Sequence, residues 1–289
     1  VVPPLPDAWT TVVVDVDADD AELVADVLWQ AGAAAIEEQA VGAAVRLLAG
    51  YPSPAQANTA ADQLRRAGRS VVAVTPVTDD GHDGWRPFAR VERAGRVVLV
   101  PAWLDVPATG ADDLVIRLDP GPTFGSGSHP TTRLVAAVTV ERVRPGDTVL
   151  DVGTGSGVLA VVAARAGAGR VVGLDIDPAS AEVAAANARR NGVAERVRVD
   201  PRPLAAVSAE GLQFDLVLAN LLAPVVVELA ADLVAAVGPR GRLVVSGLLA
   251  DRWAEAVDLL HGLVVEDVRT EDGWAAVTLH HRGRGTDGP

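Results

Sequence analysis

The stretch Asp147 to Gly157, DTVLDVGTGSG, followed at a fixed distance by VVGLDID ending at Asp177, decides the fold of this chain. Val149, Leu150 and Val152 form a short apolar run suited to a buried parallel strand, and Gly153, Gly155 and Gly157 then open a turn into the apolar helix VLAVVAARAG. Three glycines separated by small residues remove the Cβ atoms that would keep the backbone away from a ligand, and they tolerate positive φ. Asp175 ends the next apolar strand, RVVGLD, where a carboxylate can accept hydrogen bonds from both ribose hydroxyls of an adenosine. Two consecutive strand ends therefore define one expected nucleoside site, with Gly153, Gly155 and Asp175 lining it.

The spacing of the glycines selects among cofactors. A dinucleotide fingerprint, GxGxxG, would need glycine at position 158, where Val158 stands, so the pattern is GxGxG and a pyrophosphate ligand is disfavoured. Asp151 precedes the turn and no cationic residue occurs within it. A ligand without phosphates and with positive groups, such as S-adenosylmethionine, is attracted by that carboxylate. The acidic strand end that accompanies the glycines argues against a ligand-free turn.

Composition bounds the rest. With 289 residues the chain is long enough for two domains, and 49% hydrophobic against 22% charged residues marks it as globular. No apolar run approaches the roughly 18 residues of a membrane span. The start, VVPPLPDAW, reads as neither a basic region nor a cleavage site, and a cytoplasmic protein is expected. Zero cysteines and five scattered histidines without H-x-x-x-H or H-E-x-x-H spacing predict no metal. All basic residues are arginine, a usage typical of a GC-rich genome. A net charge of −13 disfavours a nucleic-acid surface and favours a basic protein partner, although acidity also serves solubility alone.

Along the chain, TTVVVDVD alternates as a strand. A helix follows, with Leu23, Val27 and Leu28 expected on one face. The runs AAIEEQ and VGAAVRLLAGY, the helix PAQANTAADQLRRAG and the strand SVVAVTPV complete a βαββαβ pattern ending near Val77, the sign of a small ferredoxin-like domain (residues 1–77). A polar, glycine-bearing linker is predicted from Thr78 to Gly84. FARVER, RVVLVPAW and LVIRL, up to Leu118, read as a connecting antiparallel sheet. The catalytic domain then begins at Asp119 and runs to the end. Its strands are expected at Asp147 to Asp151, Arg170 to Asp175, Arg196 to Asp200, Phe214 to Asn220, Gly241 to Gly247, Leu263 to Arg269 and Trp274 to His281, with helices alternating among the first six. Such alternation gives a parallel α/β sheet with ligands at the carboxyl ends of its strands. The connection RTEDGWA is too short for a crossover, so the last strand pairs antiparallel, an ending that separates a methyltransferase sheet from a dehydrogenase sheet.

Phe124 to Thr132, FGSGSHPTT, follows DPGPT and precedes DVGTGSGVLA, GLDIDP and ANLLAP. Together these four motifs, in this order, closely resemble the PrmA family, the ribosomal protein L11 methyltransferases. Motif-level resemblance runs from about Trp85 to the end, while the first domain matches in architecture only. Ser126 and Ser128 stand where threonine is usual in the FGxGxHPTT box, which keeps the hydroxyls. The resemblance implies a class I methyltransferase that uses S-adenosylmethionine. The implied substrate is a large-subunit ribosomal protein methylated on lysine side chains or on its N-terminal α-amine, and the chain is taken as a monomer without nucleic-acid or membrane partners. It also implies cofactor contacts at Thr132, Gly153, Asp175 and Asn220. The sequence NLLA is not the NPPY signature of enzymes that methylate planar nitrogens.

Each position has a physical reading beside that implication. Asn220 ends the strand FDLVLAN on the crevice, and otherwise is a structural amide closing a turn. Thr132 lies early in a helix that Pro130 starts, where N–H groups are expected to be free for a carboxylate. His129 is a candidate base, yet a His-Pro pair leading into a helix equally suits a structural hydrogen-bonder, and an essential base role is not expected. Phe124 is expected to pack on the adenosine or on the substrate, or in the core. Trp85, Trp103 and Trp274 are read as packing residues at domain junctions, and His280 and His281 as strand residues without chemistry. Competing readings are a methyltransferase for another protein lysine or for a small molecule, a dehydrogenase, and a protein that only holds the cofactor.

Overall fold

The computed structural model describes residues 10–17, 20–33, 35–42, 44–51, 53–76, 89–121, 123 and 125–282. The predicted linker, Trp85 and Phe124 lie outside them. The chain divides into two compact units, Val1–Pro87 and Phe88–Pro289.

The first unit has strands β1 (Thr10–Asp17), β2 (Ala35–Val41), β3 (Ala44–Tyr51) and β4 (Val71–Pro76), with helices α1 (Ala21–Gln30) and α2 (Pro54–Arg66). The sheet order β2-β3-β1-β4 is antiparallel throughout, which is the ferredoxin-like arrangement. Period-two alternation buries Val12, Val14 and Val16 of β1. Helix α2 starts at Ser53, whose hydroxyl accepts from Gln56 N, and buries Ala57, Ala60, Ala61 and Leu64, the i, i+3, i+4, i+7 stripe. Among the described side chains of α1 the buried ones are Ala21, Val24 and Leu28, while Leu23 is 59% exposed. The expected face of α1 is therefore corrected: the stripe runs through Val24, and only Leu28 of the expected three is fully covered.

The second unit opens with β5 (Glu92–Ala94), β6 (Val97–Pro101) and β7 (Leu114–Leu118). β5 pairs antiparallel with β6, but β6 and β7 pair in parallel, so the expected all-antiparallel connector is corrected. Residues 102–113 between them are long enough for a crossover return. Val97, Leu99, Ile116 and Leu118 enter the same core as the helices that follow, and these strands are part of the second unit's body.

Next come α3 (Pro130–Arg142), β8 (Thr148–Val152), α4 (Val158–Ala166), β9 (Arg170–Leu174), α5 (Pro178–Arg190), β10 (Val197–Asp200), α6 (Leu204–Ala209) and β11 (Phe214–Asn220). The unit closes with α7 (Ala223–Glu228), α8 (Ala230–Ala236), β12 (Val237–Leu249), α9 (Trp253–Val257), β13 (Leu263–Glu271) and β14 (Trp274–His281). The seven strands lie in the order β10-β9-β8-β11-β12-β14-β13, with β14 antiparallel to both neighbours. Strand pleat separates two cores: Val149, Val171, Leu216 and Leu218 face α3 and α4, while Leu150, Val172, Val217 and Val245 face α6 to α9. Strand order reverses between β8 and β11, so a crevice opens at the carboxyl ends of these two strands. No described helix is long and apolar enough to cross a membrane.

Candidate cofactor site

The turn after β8 holds Gly153, Gly155 and Gly157 at φ of 71°, 50° and 77°, where other residues are strained. Gly153 N and Thr154 N both donate to Leu174 O, at 2.8 and 2.9 Å, which ties the turn to the end of β9. Asp175 completes the junction: its Oδ2 accepts from Gly155 N at 2.8 Å and its Oδ1 from Asp177 N at 2.9 Å. Each carboxylate oxygen keeps a second lone pair, and the residue is half-buried, so two hydroxyls can still be accepted from the crevice side. Gly153 itself is exposed, and a Cβ there would lie 2.5 Å from Leu221 Cδ2.

Beneath the turn sits Asp151, buried to 1% exposure. Its Oδ2 accepts from Thr154 Oγ1 (2.7 Å) and Ala160 N (3.0 Å), whereas Oδ1 is buried without a partner among the described residues. Burial pushes this carboxyl up to about 6, against the pull of those two hydrogen bonds, and Asp175 adds to the rise. Thr132, fully buried on α3, adds a second oxygen without a partner among the described residues, Oγ1. Asn220 ends β11 half-buried, with no side-chain hydrogen bond among the described residues, and Leu221 N continues the ladder to Ser246 O at 3.0 Å.

The start of α3 differs from the expectation. Pro130 has no N–H, Thr131 N donates to His129 Nδ1 at 3.3 Å, and Thr132 N and Arg133 N both donate to His129 O. The first-turn donors are taken, so this terminus is not the free anion site the sequence suggested, and Thr132 offers its hydroxyl instead. His129 is the N-cap; its Nδ1 also lies 2.8 Å from Thr131 Oγ1, and its ring meets Trp274 edge-on at 4.9 Å. Burial, with Arg133 nearby, lowers the imidazole pKa. This is a capping geometry.

The comparisons with known proteins bear on this crevice. The model of the ribosomal protein L11 methyltransferase (PrmA) family matches residues 78–282. The chain belongs to that family. A ribosomal protein L11 methyltransferase of Pelotomaculum thermopropionicum is 45% identical over 72% of this chain and 68% of its own length. One from Chloroflexus aurantiacus is 34% identical over 95% of this chain and 98% of its own, so that likeness extends through the first unit. A crystal structure of a ribosomal protein L11 methylase from Lactobacillus delbrueckii subsp. bulgaricus superposes with a TM-score of 0.60 at 30% identity, covering 67% of this chain and 98% of that one.

As a member of this methyltransferase family, the protein uses S-adenosylmethionine as methyl donor. The residues present fit that group: two buried oxygens have no partner among the described residues, a glycine is exposed where the turn meets the crevice, and a half-buried aspartate retains acceptor capacity. The structure also brings in residues that the sequence reading missed. Ile176, 84% exposed beside Asp175, presents an apolar face suited to a purine ring. Gly247 makes a bulge in β12 at φ 85°, and any Cβ there would collide with Leu221 O, so it permits the close approach of the segment after Asn220. A glycine inside a strand was the available signal. Asn187 of α5 donates to Ser156 O (2.8 Å) and Asp119 O (2.9 Å) and accepts from Asp119 N, which clamps the glycine turn to the end of β7.

Proposed function

We propose that this methyltransferase modifies amino groups of ribosomal protein L11, on lysine side chains, on the N-terminal α-amine, or on both. The observation that carries the reading is the cofactor crevice in a chain that belongs to this family: Asp175 hydrogen-bonded to the glycine turn, with the orphaned oxygens of Thr132 and Asp151 on adjoining elements. In this reading Asp175 accepts the ribose hydroxyls, Ile176 covers the base and Gly153 lets the backbone approach. Asp151 and Thr132 serve the polar tail, and Asn220 borders the methyl-transfer position. S-adenosylmethionine, when bound, supplies a methyl group on a positive sulfonium, so alignment and exclusion of water matter more than a strong base. The amine must be neutral, and the apolar lip formed by Leu222, 66% exposed just after Asn220, favours deprotonation of a lysine whose ordinary pKa is about 10.4.

The first unit is the proposed recognition element. Residues 1–87 hold thirteen acidic residues against five arginines, a charge that suits a basic ribosomal protein. A ribosomal substrate argues for a cytoplasmic enzyme working as a single chain.

The test is intact-mass measurement of the host's own ribosomal protein L11 after incubation with enzyme and methyl donor. Whole methyl increments on that protein are expected, and peptide mapping assigns the amines. This chain contains no lysine, so methyl-lysine in the mixture can come only from the substrate. Transfer to a small-metabolite pool with none to ribosomal protein L11 would overturn the proposal.

A further inference from the structure

Arg133 lies next to Thr132 on α3, and only 13% of its side chain is exposed. Its guanidinium joins three separate parts of the second unit. Nε and Nη2 bind Glu271 Oε1 at 2.8 and 2.6 Å, and Nη2 lies 3.4 Å from Asp272 Oδ2. Nη1 donates to Ser128 O and lies 3.8 Å from Glu92 Oε2 on β5. Glu271 and Asp272 form the tip of the β13–β14 hairpin, where Asp272, at φ 48°, is the one non-glycine residue with positive φ among the described residues. Two residues on, Trp274 meets His129 with ring planes at 66°. Charge and ring contact thus press the hairpin tip onto residues 128–129, at the mouth of α3.

The other end of this loop is fixed on the glycine turn. Ser156 Oγ donates to Gly125 O at 2.7 Å, and a Cβ on Gly125 would sit 2.5 Å from that hydroxyl. Gly127 lies so close to Leu99 that a Cβ would be 2.8 Å from its Cδ1. Residues 125–129 are therefore held at both ends, and Thr132, its hydroxyl without a partner among the described residues, lies one helical turn beyond the held segment. We infer that Arg133 is a positioning residue for methyl-donor binding: it clamps the hairpin tip to the loop before α3 and so fixes Thr132 in the cofactor crevice. The inference rests on the proposed cofactor site and adds a residue that makes no contact with the donor itself. A planar guanidinium that reaches four oxygens on separate residues sets an orientation that a lysine ammonium cannot reproduce.

The experiment compares Arg133→Met, Arg133→Lys, Glu271→Gln and Thr132→Val in the full chain. It reads S-adenosylmethionine affinity, KM and kcat with ribosomal protein L11, and the ligand-free thermal midpoint. Arg133→Met is expected to raise Kd and KM for S-adenosylmethionine about tenfold, with a smaller change in kcat, and Arg133→Lys to recover part of that. Combined with Thr132→Val, Arg133→Met should add little further loss of affinity, because both act through one hydroxyl. Full additivity with Thr132→Val, or an unchanged KM for S-adenosylmethionine, overturns the inference. Should Arg133→Met not fold, Glu271→Gln at the hairpin tip carries the same test: a few-fold rise in Kd supports the clamp and wild-type affinity overturns it. Asp175→Asn separates the two levels. If it binds the donor normally the cofactor-site reading itself fails, and if it loses the donor while the clamp variants do not, only the role of Arg133 falls.

Discussion

Asp151 is a buried carboxyl whose titration bears on stability and, at the proposed cofactor site, on donor binding. Its carboxyl, raised to about 6 from an ordinary 3.8, holds a proton in the native state that the unfolded chain has already released between those values. Over that window the native state binds more protons, so unfolding free energy falls as pH rises, by roughly 3 kcal/mol in all, and stays lowered above it. Asp151→Asn removes the titration. The variant is expected to match the wild type in ligand-free thermal midpoint near pH 4 and to exceed it above pH 6, while binding S-adenosylmethionine more weakly at neutral pH. Wild-type affinity for the donor should rise with pH up to about 6 and then level off, and the variant should lack that rise. Midpoints measured from pH 4 to 8 decide the matter: a stability difference that does not vary with pH would contradict the burial account. The glycines make the steric counterpart. At Gly157 a Cβ would lie 2.7 Å from Ala184 Cβ and 2.9 Å from its Cα, so Gly157→Ala must push α4 from α5. A loss of about 2–4 kcal/mol in urea denaturation is expected. Gly192→Ala, at φ 69° with nothing within 4 Å, isolates the backbone strain and should cost about 1 kcal/mol.

At the level of elements, α3 and its entry loop separate capping from catalysis. His129→Asn keeps an N-cap acceptor but removes the titrating ring, so turnover is expected to stay within a few-fold and stability within about 1 kcal/mol. A loss of about 10²–10⁴ in kcat would instead make His129 a general base, contrary to its bond to Thr131. The same elements mark what can be read locally. The glycine turn, the acidic end of β9 and the closing hairpin were legible because each joins strand and turn within about thirty residues, where local spacing fixes geometry. The parallel pairing of β6 and β7 was not, since a twelve-residue connection fits either direction until packing against α3 and α4 selects one. Nor were Asn187 and Asn191, whose amides bind backbone groups 68 and 74 residues away. The free donors expected at the start of α3 failed for a local reason: the N-cap His129 uses its ring and its carbonyl on the groups the reading left open. Thr132 and Asn220 are cofactor contacts that the family resemblance implies, whereas Gly153 is also read from the turn, and Gly247 is a strand glycine with no turn beside it to mark it.

Charge is distributed unevenly over the whole molecule, and this sets the last expectation. Of the net −13, the first unit carries −8 in 87 residues, and the second −5 in 202. The crevice has its own, shorter-range electrostatics: a half-buried Asp175 with both oxygens held by backbone N–H groups, and a buried Asp151 with one oxygen so held. Exposed charges interact over a Debye length of about 8 Å at physiological salt, so added salt weakens attraction between an acidic unit and a basic protein far more than contacts in a buried site. If the first unit recruits ribosomal protein L11 by charge, its KM should rise several-fold between low and high ionic strength, chiefly through slower association, while KM for S-adenosylmethionine changes little. Replacing Glu37 and Glu38, both exposed on the edge strand β2, by glutamine should reproduce part of that rise at low salt and reduce the salt dependence. Steady-state kinetics at matched salt steps test both. If KM for the ribosomal protein were independent of salt, recognition would have to rest on apolar contacts such as Leu222 at the crevice lip, and the acidity of the first unit would serve solubility alone.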